Sequence, residues 1–132
     1  MIEALRKLVR IPSVTGEEAE ESSELGTLPY GRNVFDALMC ALSICRRLGF
    51  KTKNCENRIG WAEIGEGKEL IGILVHLDVV PAGGGWDYEP FDVTESDGRL
   101  YGRGVLDDKG PAVAAIWAMK AIKDSGVKLS SR

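Results

Sequence analysis

The chain has 132 residues, 44% of them hydrophobic and 28% charged, with 17 basic and 20 acidic side chains and a formal charge of -3. These values fit one globular domain with a single core and exclude a disordered or fibrous chain. No basic run exceeds Arg46-Arg47, and the longest apolar run, near residues 70–77, is far shorter than a membrane span. Neither nucleic acid nor a bilayer is therefore an expected partner.

The opening MIEALRKLVRIPS lacks the charged and then apolar pattern of a secretory signal. The cysteines, Cys40, Cys45 and Cys55, are odd in number and have no CxxC spacing, so they are read as thiols in a reducing, cytoplasmic setting. Ile2, Leu5, Leu8 and Val9 recur at helical spacing, and Pro12 closes that first helix. Residues 13–32, with the acidic run EEAEE, are expected to form a helical turn or two and then a loop, the acids being a solvated face. Asn33 is the expected cap of a second helix with Phe35, Leu38, Met39, Leu42 and Cys45 as its core stripe, stopped by Gly49.

Two strand-like runs follow, at residues 50–55 and 59–64, and the turn-forming GEGK leads into ELIGILVHLDVV. The unbroken apolar residues of this last run predict a strand buried on both faces, at the centre of a sheet covered by helices. Residues 81–104 are rich in Gly, Pro and aromatics, with short strands expected near 91–94 and 99–101 around the Ser96-Asp97-Gly98 turn. Trp86, Tyr88, Pro90 and Phe91 are read as packing for this loop rather than as cleft lining. A final helix opens at Gly110-Pro111, carries Val113, Ile116, Trp117, Met119 and Ile122, and ends at Gly126. No repeat, low-complexity tract or linker divides the chain, so residues 1–132 are expected to form one domain.

Two clusters carry chemistry. His76, the only histidine, stands two positions before Asp78, and the period of two in a strand puts both side chains on one face. A carboxylate so placed fixes the tautomer of an imidazole whose other nitrogen binds a metal, although a lone histidine is more often structural. In YGRGVLDDKGP, Asp107 and Asp108 precede a helix start, where carboxylates also serve as ordinary caps. Gly102, Gly104 and Gly110 around them argue for an unusual backbone that aims a side chain. Lys109 and Arg103 are read as structural or solvated. Together the clusters offer a carboxylate able to bridge two cations and a histidine for one of them, short of the three protein ligands of a hydrolytic zinc.

The strings HLDVVPAGGGWDYEPF and DGRLYGRGVLDDKGPAVAAI resemble the zinc metallopeptidases that include carboxypeptidase G, acetylornithine deacetylase, aminoacylase and carnosinase. The VPAGGGW and DDKGP forms are most similar to the PepV-type bacterial dipeptidases, and weaker similarity extends through SVTGEEAE, LPYGRNVFDAL and LGFKTKN. The resemblance implies an α/β fold, a central mixed sheet flanked by helices, as the amino-terminal part of a catalytic domain whose lid domain is absent. It implies His76 as a ligand of one zinc, Asp78 as the catalytic carboxylate that orients it, and Asp107 as the bridge between two Zn2+ ions. A cis peptide after the bridging aspartate is implied at Asp107-Asp108, and Asp108 is not counted as a ligand.

The family's glutamate pair, its further acidic ligand and its distal histidine have no counterpart among these residues. The expectation is thus part of a two-zinc enzyme acting on dipeptides or N-acyl amino acids, inactive by itself, and inclined to self-associate through uncovered apolar surface. The competing readings are a noncatalytic α/β module and a deacylase of the same family.

Overall fold

The computed structural model describes residues 1–16 and 19–132; Glu17 and Glu18 of the acidic run lie outside the described residues. Helix α1 covers Ile2–Val9, with the 3.6-residue apolar spacing turned inward so that Leu8 and Val9 are fully buried. Helix α2 spans Arg32–Arg47 and α3 spans Lys109–Asp124. The strands are β1 Glu20–Ser22, β2 Gly26–Leu28, β3 Lys51–Cys55, β4 Ile59–Glu63, β5 Thr94–Ser96 and β6 Arg99–Tyr101. They pair consecutively as three antiparallel hairpins. The core joins Leu5, Leu8 and Val9 of α1, Ala41 and Ile44 of α2, Val93, and Val113 of α3. No described helix is long and apolar enough to cross a membrane.

Most of the expected elements form, with four corrections. The segment after Pro12 contains the β1–β2 hairpin where a helical turn was expected. The Ser22 hydroxyl accepts the Leu25 N–H, and the Asn57 side-chain amide donates to the Leu25 and Thr27 carbonyls, so a partner 30 and more residues away holds the turn. The second helix begins at Arg32 after Gly31, not after Asn33, because the Glu20 carboxylate from the hairpin accepts the Arg32 N–H at 3.2 Å. A negative group there answers the helix's exposed amides. The inner face of α2 is Ala37, Ala41, Leu42, Ile44 and Cys45, while Phe35, Leu38 and Met39 are only half-buried.

The largest difference concerns residues 69–80. The class is α/β, but the sheet is present as separate hairpins, and this run, expected as its central strand, belongs to none of them. Leu70, Ile71, Ile73 and Leu74 are 62–89% exposed. Its described main-chain ties lie at its ends. Ile71 N–H donates to the Arg132 carbonyl and Arg132 N–H to the Glu69 carbonyl, the alternation of a parallel pair. At the other end Val79 forms a parallel bridge with Val14. An apolar run can be buried on both faces only when strands and helices lie on both sides of it, and the described residues supply too few.

Candidate metal centre

The two chemistry-bearing motifs meet in space. His76 Nε2 lies 3.2 Å from Asp107 Oδ1, although 31 residues separate them in the chain. On the opposite side of the ring, Nδ1 is 3.1 Å from the Asp78 carbonyl oxygen and 3.3 Å from Asp78 Oδ1. Asp78 thus stands behind the ring with both its carbonyl and its carboxylate, although residues 76–78 are not part of a strand. The Thr15 hydroxyl donates to Asp78 Oδ2 at 3.5 Å, a long contact. Burial pulls the His76 pKa down, but the hydrogen bonds and charges of Asp78 and Asp107 outweigh it, so the net shift is upward from 6.5.

The glycines around the acids have the tight geometry expected of them. Gly104 adopts φ +88°, and a Cβ on Gly110 would lie 1.9 Å from the Val105 carbonyl oxygen. The Gly110 N–H donates to the Gly104 carbonyl at 3.1 Å, closing the loop on itself. The peptide bond between Asp107 and Asp108 is cis, as the resemblance implies. Asp108 stands at the cap position of α3 but makes no side-chain cap bond. Its Oδ2 instead accepts the main-chain N–H of His76 at 3.0 Å, tying the aspartate loop to the histidine segment. That role has no local signature, since the partner is 32 positions away.

Two ligands of one tetrahedral zinc, at ordinary Zn–N and Zn–O lengths, stand about 3.3–3.5 Å apart. The His76–Asp107 separation is close to that distance, and an Nδ1–H donated toward Asp78 leaves the Nε2 lone pair directed at Asp107. Nitrogen and carboxylate oxygen are the donor types zinc takes. Asp107 is largely exposed, so its second oxygen is open. The pair fits a cation on these grounds, yet among the described residues no group of three or more His, Cys, Asp or Glu side chains gathers around one point. His76 and Asp107 are therefore two donor-type side chains facing each other, with no third gathered at the same point among the described residues.

Beside His76 and Asp78 runs a cleft of about 590 Å³ between α2, β4 and α3, with Leu38, Leu42, Trp61, Ile73, Ile116 and Met119 among its walls. The aromatic loop lies elsewhere and packs on itself. Trp86 Nε1–H donates to the Ala82 carbonyl at 2.9 Å, the Arg103 guanidinium covers the indole at 5.1 Å, and Tyr88 leans on Tyr101 at 4.9 Å. Those contacts agree with the packing reading for Trp86 and Tyr88 and set Arg103 against the loop.

Known proteins resemble this chain along its whole length. Residues 72–132 match the model of Peptidase family M20/M25/M40. YtjP of Bacillus subtilis (strain 168) is 40% identical over 132 residues, all of this chain and 28% of that protein. The Beta-Ala-Xaa dipeptidase of Lactobacillus delbrueckii subsp. lactis is 40% identical over 129 residues, 97% of this chain and 27% of that protein. The crystal structure of human carnosine dipeptidase 1 superposes with a TM-score of 0.68 at 27% identity, covering 92% of this chain and 28% of that one. The chain thus spans little more than a quarter of the length of the relatives it matches. The chain is thus similar to Peptidase family M20/M25/M40 over residues 72–132, to the Bacillus and Lactobacillus proteins along nearly its whole length, and to the fold of carnosine dipeptidase 1 over most of it.

Proposed function

We propose that the chain is the amino-terminal part of a two-zinc metallodipeptidase, contributing His76 and Asp107 as ligands and Asp78 as the carboxylate that orients the histidine. The observation that carries this reading is the 3.2 Å approach of His76 Nε2 to Asp107 Oδ1, with Asp78 behind the ring. Asp78 keeps the proton on Nδ1 and the lone pair on Nε2. Asp107, open on its outer oxygen, is the group able to serve two cations. When bound, zinc supplies Lewis acidity and activates water for attack on an amide at neutral pH. The base that takes the water's proton and the remaining ligands belong to polypeptide beyond residues 1–132.

The substrate class is a dipeptide, as the names of the Lactobacillus and human proteins suggest, with an N-acyl amino acid as the related alternative. A single partial catalytic domain fits the one buried core cluster. The three unpaired cysteines support a cytoplasmic, reducing setting. By itself the chain is inactive, and its exposed 70–74 run makes it self-associate.

The test is calorimetric zinc titration at neutral pH, without chelator, on the chain, on His76→Ala, and on the chain mixed with the complementary part of a longer relative. The reading expects weak binding by the chain alone, and stoichiometric binding with dipeptide hydrolysis in the mixture, both lost in His76→Ala. A mixture that assembles yet binds no zinc would establish a noncatalytic α/β module instead. An assembled, zinc-loaded mixture that cleaves N-acyl amino acids but no dipeptide would make it a deacylase.

A further inference from the structure

Neither chemistry-bearing motif is held in place by its own neighbours alone; both are fastened to one strap, residues 8–14, at the end of α1. Lys109 is the only fully buried charged side chain among the described residues. Lysine is almost never fully buried unless its ammonium is partnered. Here Nζ donates to the Leu8 carbonyl at 2.8 Å and the Ile11 carbonyl at 2.7 Å. The last carbonyls of a helix lack intrahelical donors, and a cation there is favourable. The lysine stem runs beside Gly104, where a Cβ would stand 3.0–3.1 Å from Val79 Cγ1 and Lys109 Cδ. Thus the loop bearing Asp107 wraps around a side chain anchored in α1.

The same strap grips the histidine segment two residues further on. Ser13, also fully buried, donates its hydroxyl to the Leu77 carbonyl at 2.6 Å, and its own carbonyl accepts the Val79 N–H at 2.9 Å. Leu77 and Val79 flank Asp78, and Leu77 follows His76. The strap itself is fixed, because Leu5, Leu8 and Val9 lie in the core. The side chains of His76 and Asp107 are both exposed, and beyond the strap their segments are tied directly by the His76 N–H donated to Asp108 Oδ2 at 3.0 Å.

We propose that Ser13 and Lys109 are positioning residues that, through the 8–14 strap, set the 3.2 Å separation of His76 Nε2 and Asp107 Oδ1 without touching either group. The consequence for catalysis rests on the metallopeptidase reading, whereas the geometric statement does not and is measured without metal. His76 is the only histidine, so one imidazole spin system reports on the site.

The experiment compares nuclear Overhauser contacts between the His76 ring protons and the Asp107 Cβ protons in four metal-free proteins. These are the unmodified chain, Ser13→Ala, Lys109→Met, and Leu28→Ala as a buried control outside the strap. The unmodified chain and the control are expected to show the contacts, and the two strap variants to lose them while their far-ultraviolet circular dichroism stays native. Should Lys109→Met fail to fold, Ser13→Ala decides the matter, since it removes a single hydroxyl. Retention of the contacts in the folded strap variants, their equal loss in Leu28→Ala, or their absence from the unmodified chain overturns the proposal. Loss confined to the strap variants in a chain that never binds zinc, even with its complement, leaves the inference standing and removes the metallopeptidase reading.

Discussion

Helix α1 and the 69–80 run carry similar aliphatic residues and meet opposite environments. In α1, Leu8 and Val9 are completely covered by α2, α3 and Val93. In the second run, Leu74 is 89% and Ile71 77% exposed. An amphipathic helix needs partners on one face, and three helices of this chain suffice to supply them. A strand apolar on both faces needs hydrogen-bonding neighbours at its edges and helices above and below. The run that bears His76 therefore depends on far more polypeptide than the helix that anchors it.

Truncations are the sharpest way to break this contrast. Leu8→Ala should destabilise the chain by about 2–5 kcal/mol, the usual cost of emptying a buried leucine site. A urea midpoint unchanged from the unmodified chain would mean that α1 is not the packed half. At Leu74 the equivalent truncation should alter stability by less than about 0.5 kcal/mol, as at other exposed sites. A substitution there should instead show in sedimentation, where the unmodified chain is expected to form concentration-dependent oligomers and Leu74→Lys to shift the population toward monomer. A chain that remains monomeric across a wide concentration range would remove self-association from the account.

The smallest expected effect is electrostatic. The His76 pKa is raised in the folded chain, so its protonated form adds stability that is fully present below the unfolded value near 6.5 and is lost as pH rises through the folded value. Comparing His76→Asn with the unmodified chain from pH 5 to 8 should show a small difference that vanishes at the alkaline end. Zinc has the opposite preference, because a proton on Nε2 excludes the metal. Binding in the completed assembly should therefore weaken as the pH falls through the same pKa, and pH-independent affinity would argue against His76 as a ligand.

Local patterns were enough for α1, for the β3–β4 hairpin and for α3, and they found the β5–β6 turn, although β5 lies at Thr94–Ser96 rather than at 91–94; each is specified by apolar spacing and turn residues close in the chain. They also drew attention to His76, Asp78 and the adjacent Asp107 and Asp108, because a histidine two before an aspartate and acids among glycines are visible in one dimension, whereas only the family resemblance set Asp107 apart from Asp108. What local pattern left open was every tie between distant segments. Asn57 holds the β1–β2 turn, Glu20 starts α2, Asp108 fastens the His76 backbone, and Ser13 and Lys109 bind both motifs to α1. Lys109 is the plainest case. By sequence it is a cation at a helix start, and only the folded chain shows it buried against carbonyls 98 and 101 positions earlier. A polar side chain's worth is set by which partner reaches it once water is excluded, and that is decided by the packing of the whole chain.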